Sequence, residues 1–195
     1  MRMRLYLLSI WSMMDPIYFC LSRLNYPVQP LQQKNVFRIR VTRYKGRNVM
    51  LSDGTEIKKN DLMVKIHLHN VQLLKELAGI NSELKKGKFI YRQVEHSLPY
   101  LANYILNHKQ SEQIKGIFGI TTLNRGVTRL GFEPVPLSSN MYKWFKCLTS
   151  HPIFLMSTSR PLRMFLKISV PKYLFMSKDH LLNKYRTICN EISSF

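Results

Sequence analysis

Apolar and polar side chains alternate over residues 64–69, within a strand-like run that begins at Leu62. Leu62, Val64, Ile66 and Leu68 fall on one face of an extended chain, and Met63, Lys65, His67 and His69 fall on the other. This period predicts a strand with two histidines on its polar face. Asn70 follows, ahead of a helical run over 71–77, and reads as the N-cap of that helix. The same period recurs upstream, where Phe37, Ile39 and Val41 alternate with Arg38, Arg40 and Thr42 to give one core face and one basic face. A turn over 45–48 with Gly46, a short strand over 49–51, an Asp53-Gly54 hairpin signal, a strand over 55–57 and a polar turn over 58–61 fill the interval. Residues 36–69 are thus expected to form a small antiparallel β unit.

Beyond residue 70 the period changes. The helix over 71–77 is stopped by Gly79. Asn81 or Ser82 opens a longer one in which Ile90, Val94, Leu98, Leu101 and Ile105 recur three or four apart, with Pro99 expected to kink or divide it. Arg92, Glu95, His96, Asn103 and Asn107 form its solvent side. A glycine-bearing apolar run over 114–122 predicts a buried strand. After it come a helical turn or short helix over 124–130, which Thr121 or Thr122 can cap and Gly131 can end, and an extended run over 132–137. This strand, helix, strand order favours a mixed sheet. An amphipathic helix is expected over 141–148 and strand character over 164–176. Ser177 is expected to cap a last helix over 178–190, with Asp179 in its first turn. The fold class is α+β: a small antiparallel β unit, a mixed sheet and surrounding helices.

The N-terminus resembles a signal peptide, because two arginines precede an apolar run over 5–14. Asp15 and Pro16 interrupt that run, no small-residue cleavage site follows, and the uninterrupted stretch is too short to span a bilayer. Residues 1–26 are expected as a helical segment packed on, or anchoring, a single α+β domain over 27–195. An interfacial membrane helix carrying Trp11, Tyr18 and Phe19 is the first alternative, and a true span or signal the second.

Composition adds a strong charge bias. The 195 residues, 45% of them hydrophobic, suffice for one domain with a sizeable core. The 30 lysines and arginines against 11 acids give a formal net charge of +19, which draws phosphates, anionic lipid or an acidic polymer through salt-sensitive forces. Arg38, Arg40, Arg43, Lys45 and Arg47 form one local grouping, and Lys85, Lys86 and Lys88 another. A solvated face accounts for the same residues. There is no zinc-finger spacing, RNP-like aromatic box or basic region running into heptads, so no specific nucleic-acid motif is present. Cys20, Cys147 and Cys189 are odd in number and far apart, which argues against a disulfide framework or structural zinc and fits a reducing compartment.

His67 and His69 together supply only two metal ligands. Asp53, Glu56 and Asp61 are the nearest acids in sequence, and Lys65 on the histidine face disfavours a dication, so no metal or cofactor is expected. A second cluster, Thr121, Thr122, Asn124, Arg125, Arg129 and Glu133, follows the presumed buried strand. An anion can lodge beyond a strand end at a helix N-terminus, with Arg125 adding a charge-assisted bond. Capping plus an i, i+4 pair between Arg129 and Glu133 explains the same residues without a ligand. No nucleophile elbow, His-Glu-x-x-His or P-loop occurs.

Tyr44-x-Gly46, Ser52-Asp53-Gly54-Thr55 with Asn60-Asp61, His67-Leu68-His69-Asn70, Gly119-Ile120-Thr121, Arg125-Gly126, Leu130-Gly131-Phe132-Glu133 and Met176-Ser177-Lys178-Asp179 together resemble the YkoP-like domain family of Bacillus and related Firmicutes. The resemblance covers nearly the whole chain. It marks Asp53, His67, His69, Asn70, Arg125 and Glu133 as motif positions and candidate ligand-binding residues. Similar domains occur attached to polysaccharide deacetylases, which implies work near cell-envelope carbohydrate, yet no deacetylase signature is present here. The first expectation is therefore an accessory or binding module for an anionic surface or envelope polymer, in the cytoplasm or at the inner membrane face. The alternatives are a small enzyme acting on a phosphorylated or sugar-like substrate, and nonspecific nucleic-acid binding.

Overall fold

The computed structural model describes residues 13, 16, 35–121, 126–137 and 172–192, with the backbone alone at 70, 71, 83 and 186–192. The expectations for the N-terminal segment, the 141–148 helix, residues 164–171 and the side chains of Thr122, Asn124 and Arg125 lie outside the described residues.

From residue 35 on, the described elements are β1 (Phe37–Arg43), β2 (Val49–Met50), β3 (Glu56–Ile57), β4 (Leu62–Leu68), α1 (Asn70–Leu77), α2 (Glu83–Leu106), β5 (Ile114–Thr121), β6 (Glu133–Pro136), β7 (Lys172–Ser177) and α3 (Lys178–Ile192). A mixed five-stranded sheet has the order β1-β4-β5-β7-β6, and β2 and β3 form a separate two-stranded sheet. The expected 36–69 unit is therefore shared between the two sheets. β1 and β4 pair antiparallel from Phe37 opposite Leu68 to Arg43 opposite Leu62. The α1 and α2 connection then returns the chain to lay β5 parallel to β4. β6 follows β5 in sequence without pairing with it, because β7 enters between them and pairs antiparallel with both.

The period-two pattern sorts the sheet into two faces. Phe37, Ile39, Val64, Ile117, Leu174 and Met176 join Leu73 of α1, Leu98, Leu101 and Ile105 of α2 and Leu181 of α3 in the main core. The opposite face carries a second cluster, Tyr44, Leu51, Ile57, Met63, Phe118 and Phe175, beneath the β2–β3 hairpin. Tyr44 meets the rings of Phe118 and Phe175 edge-on at 5.6 and 5.5 Å, a favoured aromatic arrangement.

α2 runs through Pro99 undivided. A proline inside a helix costs about 3 kcal/mol, but Leu98, Leu101, Ala102 and Ile105 are fully buried around it. Each buried apolar side chain of that size contributes about 1.5–3 kcal/mol, enough to outweigh the break. Ser82 caps α2 as expected by accepting from the Lys85 amide. Asn70 is not the cap of α1: it is the first helical residue, and His69 takes the N-cap position without a side-chain cap bond. The His69 carbonyl accepts the first helical bond, from the Leu73 amide at 3.1 Å, so the helix starts one residue earlier, while the His69 amide still donates to the Val36 carbonyl at 2.7 Å. Of the two forms expected before Gly131, residues 126–131 take turns rather than a short helix. Gly131 ends them at φ +92, a conformation strained for any residue with a Cβ.

Candidate functional site

Of the residues the sequence singles out, Asp53 and Glu133 converge on one place, the loop between β2 and β3. Both Glu133 carboxylate oxygens accept from the Ser52 amide at 3.0 Å, and one accepts from the Ser52 hydroxyl at 2.6 Å. Glu133 is thus engaged with a loop 81 residues away, and not in the expected pairing with Arg129. Asp53 accepts from the Thr55 amide at 2.9 Å and from the Ser177 hydroxyl. Ser177 in turn accepts from the His180 amide at 3.0 Å, which makes it the N-cap anticipated for the last helix. Burial pulls the Asp53 carboxyl upward. The hydrogen bonds from Ser177 and Thr55, with His180 nearby, outweigh it and hold the group below its ordinary 3.8. Asp53 and Glu133 are therefore acceptors that lock a hairpin loop onto β6, β7 and α3.

The histidines lie elsewhere. Glu133 pairs with Phe175, Phe118 pairs with both Phe175 and Lys65, and His67 is two residues beyond Lys65. His67 is three strands from Glu133, or roughly 14 Å at the usual strand spacing, before the offset along the strand. In register His67 faces Arg38, and Lys65 faces Arg40. Arg38 is only 5% exposed, so the basic face of β1 is buried at this point. Its Nη2 lies 2.7 Å from His69 Nε2. A guanidinium only donates, so His69 Nε2 accepts and the imidazole proton sits on Nδ1. That contact occupies one of the two ring nitrogens through which a histidine can ligate a metal. Among the described residues no group of three or more His, Cys, Asp or Glu side chains gathers in a way that could hold a metal. Asn70 is placed through its backbone at the start of α1, and Arg125 lies outside the described residues.

A cleft of about 380 Å³ opens at the other end of β5, between Glu56, Glu112, Lys115, Lys178 and Asp179. None of Asp53, His67, His69 and Glu133 lines it. Its lysines are tied internally: Lys115 Nζ to Asp61 at 3.1 Å and Lys178 Nζ to the Ser111 carbonyl at 2.9 Å.

The residues that sequence reasoning passed over are Tyr44, read only as part of a motif, and Ser177, read only as a cap. The buried role of Tyr44 was signalled by its place between Arg43 and Lys45, where alternation turns the ring inward. The link from Ser177 to Asp53 spans 124 residues and has no local signal.

Fold and surface define a basic α+β protein whose motif carboxylates serve its architecture. The YkoP domain family matches residues 4–185, and the chain belongs to that family. It is 49% identical over 179 residues to YkoP of Bacillus subtilis (strain 168), covering 92% of this chain and 96% of the relative. No solved structure matches it.

Proposed function

We propose that the protein is an accessory or binding module for an anionic surface or cell-envelope polymer, working in the cytoplasm or at the inner membrane face. The observation that carries this reading is the disposal of charge. The carboxylates of Asp53, Asp61 and Glu133 are occupied by Ser177, by Lys58 and Lys115, and by Ser52. Arg40, Arg43, Lys45, Arg47, Lys59, Lys85 and Lys88 are exposed. With those three carboxylates engaged in hydrogen bonds and an ion pair, the excess of cations in the sequence becomes a positive field at the surface. No helix among the described residues is long and apolar enough to cross a membrane, so attraction of this kind would act from one side of a bilayer or along a polymer.

The enzymatic alternative needs His67 and His69 to share a pocket with the turn that ends in Glu133. The separation of His67 from Glu133 across three strands favours binding over chemistry at those residues. The test is retention on a sulfated polyanion matrix, with co-sedimentation on anionic vesicles in parallel, at about 0.05 and 0.15 M salt, which spans the range where surface charges become screened. Binding that weakens with salt is expected. Absence of binding to both supports at the lower salt would remove the proposal.

A further inference from the structure

We propose that Arg43, Lys45, Arg47 and Lys59 form a binding surface for a flexible polymer carrying repeated phosphates. This rests on the binding-module reading above and assigns it a place and a partner chemistry.

Burial across 43–47 alternates: Arg43, Lys45 and Arg47 are exposed, Tyr44 is buried and Gly46 is half-buried between them. Tyr44 anchors the segment, because its ring sits in the aromatic cluster with Phe118, Tyr173 and Phe175. A Cβ at position 46 would collide with that ring, so only glycine lets the chain fold back over it. The neighbouring turn is stitched on by main-chain bonds, from the Tyr44 amide to the Asp61 carbonyl at 2.9 Å and from the Asn60 amide to the Tyr44 carbonyl at 2.7 Å. Asn60, at φ +73, then orients two of the cations. Arg43 Nη1 donates to its carbonyl at 3.1 Å and Lys45 Nζ to its side-chain oxygen at 3.1 Å. The Lys59 amide donates to Asn48 Oδ1 at 3.2 Å, which brings a fourth cation onto the same pair of turns. Lys58 is excluded, because Glu56 neutralises it at 3.0 Å.

Three consequences select the partner. Arg43, Lys45, Arg47 and Lys59 are all exposed on two adjoining turns, a spread of like charges that suits a chain of opposite ones. The residues occupy turns and not a concavity, whereas a small ligand needs convergent groups in a pocket. Guanidinium forks and lysine ammonium groups both bind phosphate well, and each keeps donors free after its contact with Asn60. A membrane fits less well. The large apolar side chains exposed among the described residues are Met13, Met50, Leu84 and Leu106, and of these only Met50 is close in sequence to the cations.

The test is fluorescence anisotropy of the full chain with end-labelled long-chain inorganic polyphosphate, with polyglutamate and anionic vesicles as competitors. Two triple variants remove equal charge: K45Q/R47Q/K59Q within the surface, and K85Q/K88Q/K109Q at exposed positions outside it. The first should bind about tenfold more weakly at fixed salt. Its dependence of log K on log salt should be shallower by about 2, at about 0.7 for each lost phosphate contact with a single strand. The second should stay within about threefold of wild type. Urea melts report whether each variant is folded, and the single substitution Arg47→Gln, with a slope change of about 0.7, serves if the triple variant is not. Equal losses in the two triple variants would overturn the assigned surface while leaving the general binding reading intact. Stronger competition by polyglutamate or by vesicles than by unlabelled polyphosphate would overturn the phosphate-polymer chemistry. Failure of the wild type to bind any polyanion would remove the underlying reading itself.

Discussion

Ser177 satisfies two distant parts of the chain with one hydroxyl: it accepts from the first turn of α3 and donates to Asp53 in the β2–β3 loop. Ser177→Ala removes both bonds and should destabilise the fold by about 1–2 kcal/mol, the range for a lost cap, measured by urea denaturation. The pH dependence follows from the depressed Asp53 carboxyl. Its stabilising effect is present above its ordinary value and is lost as pH falls through the lower folded value. Asp53→Asn should therefore flatten the acid limb of the stability profile below about pH 4 and leave the neutral region parallel to wild type. Tyr44 acts at the opposite end of the scale. Burial and its neighbour Tyr173 push its hydroxyl up to about 12 from 10.0. The unfolded chain ionises first, so stability should fall as pH rises from about 10 to 12, and Tyr44→Phe should remove that part of the alkaline loss. Gly46→Ala, which drives a methyl into the same ring, should cost about 1–3 kcal/mol by urea denaturation.

At the level of elements, Ser97 joins α2 to the start of β1. Its hydroxyl is wholly buried, accepts from the Val36 amide at 3.2 Å and donates to the Gln93 carbonyl at 2.8 Å. Ser97→Ala strands a buried amide and should cost about 1–3 kcal/mol, with hydrogen exchange speeding up first at Val36. The same elements show what was legible in the chain. Strand and helix periods are local, so β1, β4, α2 and the Ser177 cap could be read from neighbouring residues. The insertion of β7 between β5 and β6 could not, since it depends on a strand reached only after residue 171. Nor could the true partner of Glu133: Arg129 is one helical turn away in sequence, whereas Ser52 is reached only through folding. The cap of α1 falls at His69 and not at Asn70, because the His69 carbonyl takes the Leu73 amide at 3.1 Å. Arg38 was read as part of a basic face, and only the pairing register reveals that it lies buried beside His69.

For the whole molecule, a formal charge of +19 opposes its own compaction. Raising ionic strength from about 0.02 to 0.2 M should therefore raise Tm, because screening relieves repulsion faster than it weakens the few exposed ion pairs; an unchanged or lower Tm would show that local pairs dominate. The charge was legible as a total, but its outward bias was not, since that depends on which carboxylates the fold takes for itself. The final strand in the sheet order, β6, contains Pro134 and Pro136, which lie opposite Leu174 and Lys172 of β7. Strand residues of one parity direct their amides to the neighbour and those of the other parity outward. Since proline has no amide to give the β7 ladder, the two prolines fall on the outward set. That side of β6 offers an incoming strand no amide donor at either position, so the sheet carries in two prolines its own obstacle to growth by one more strand there.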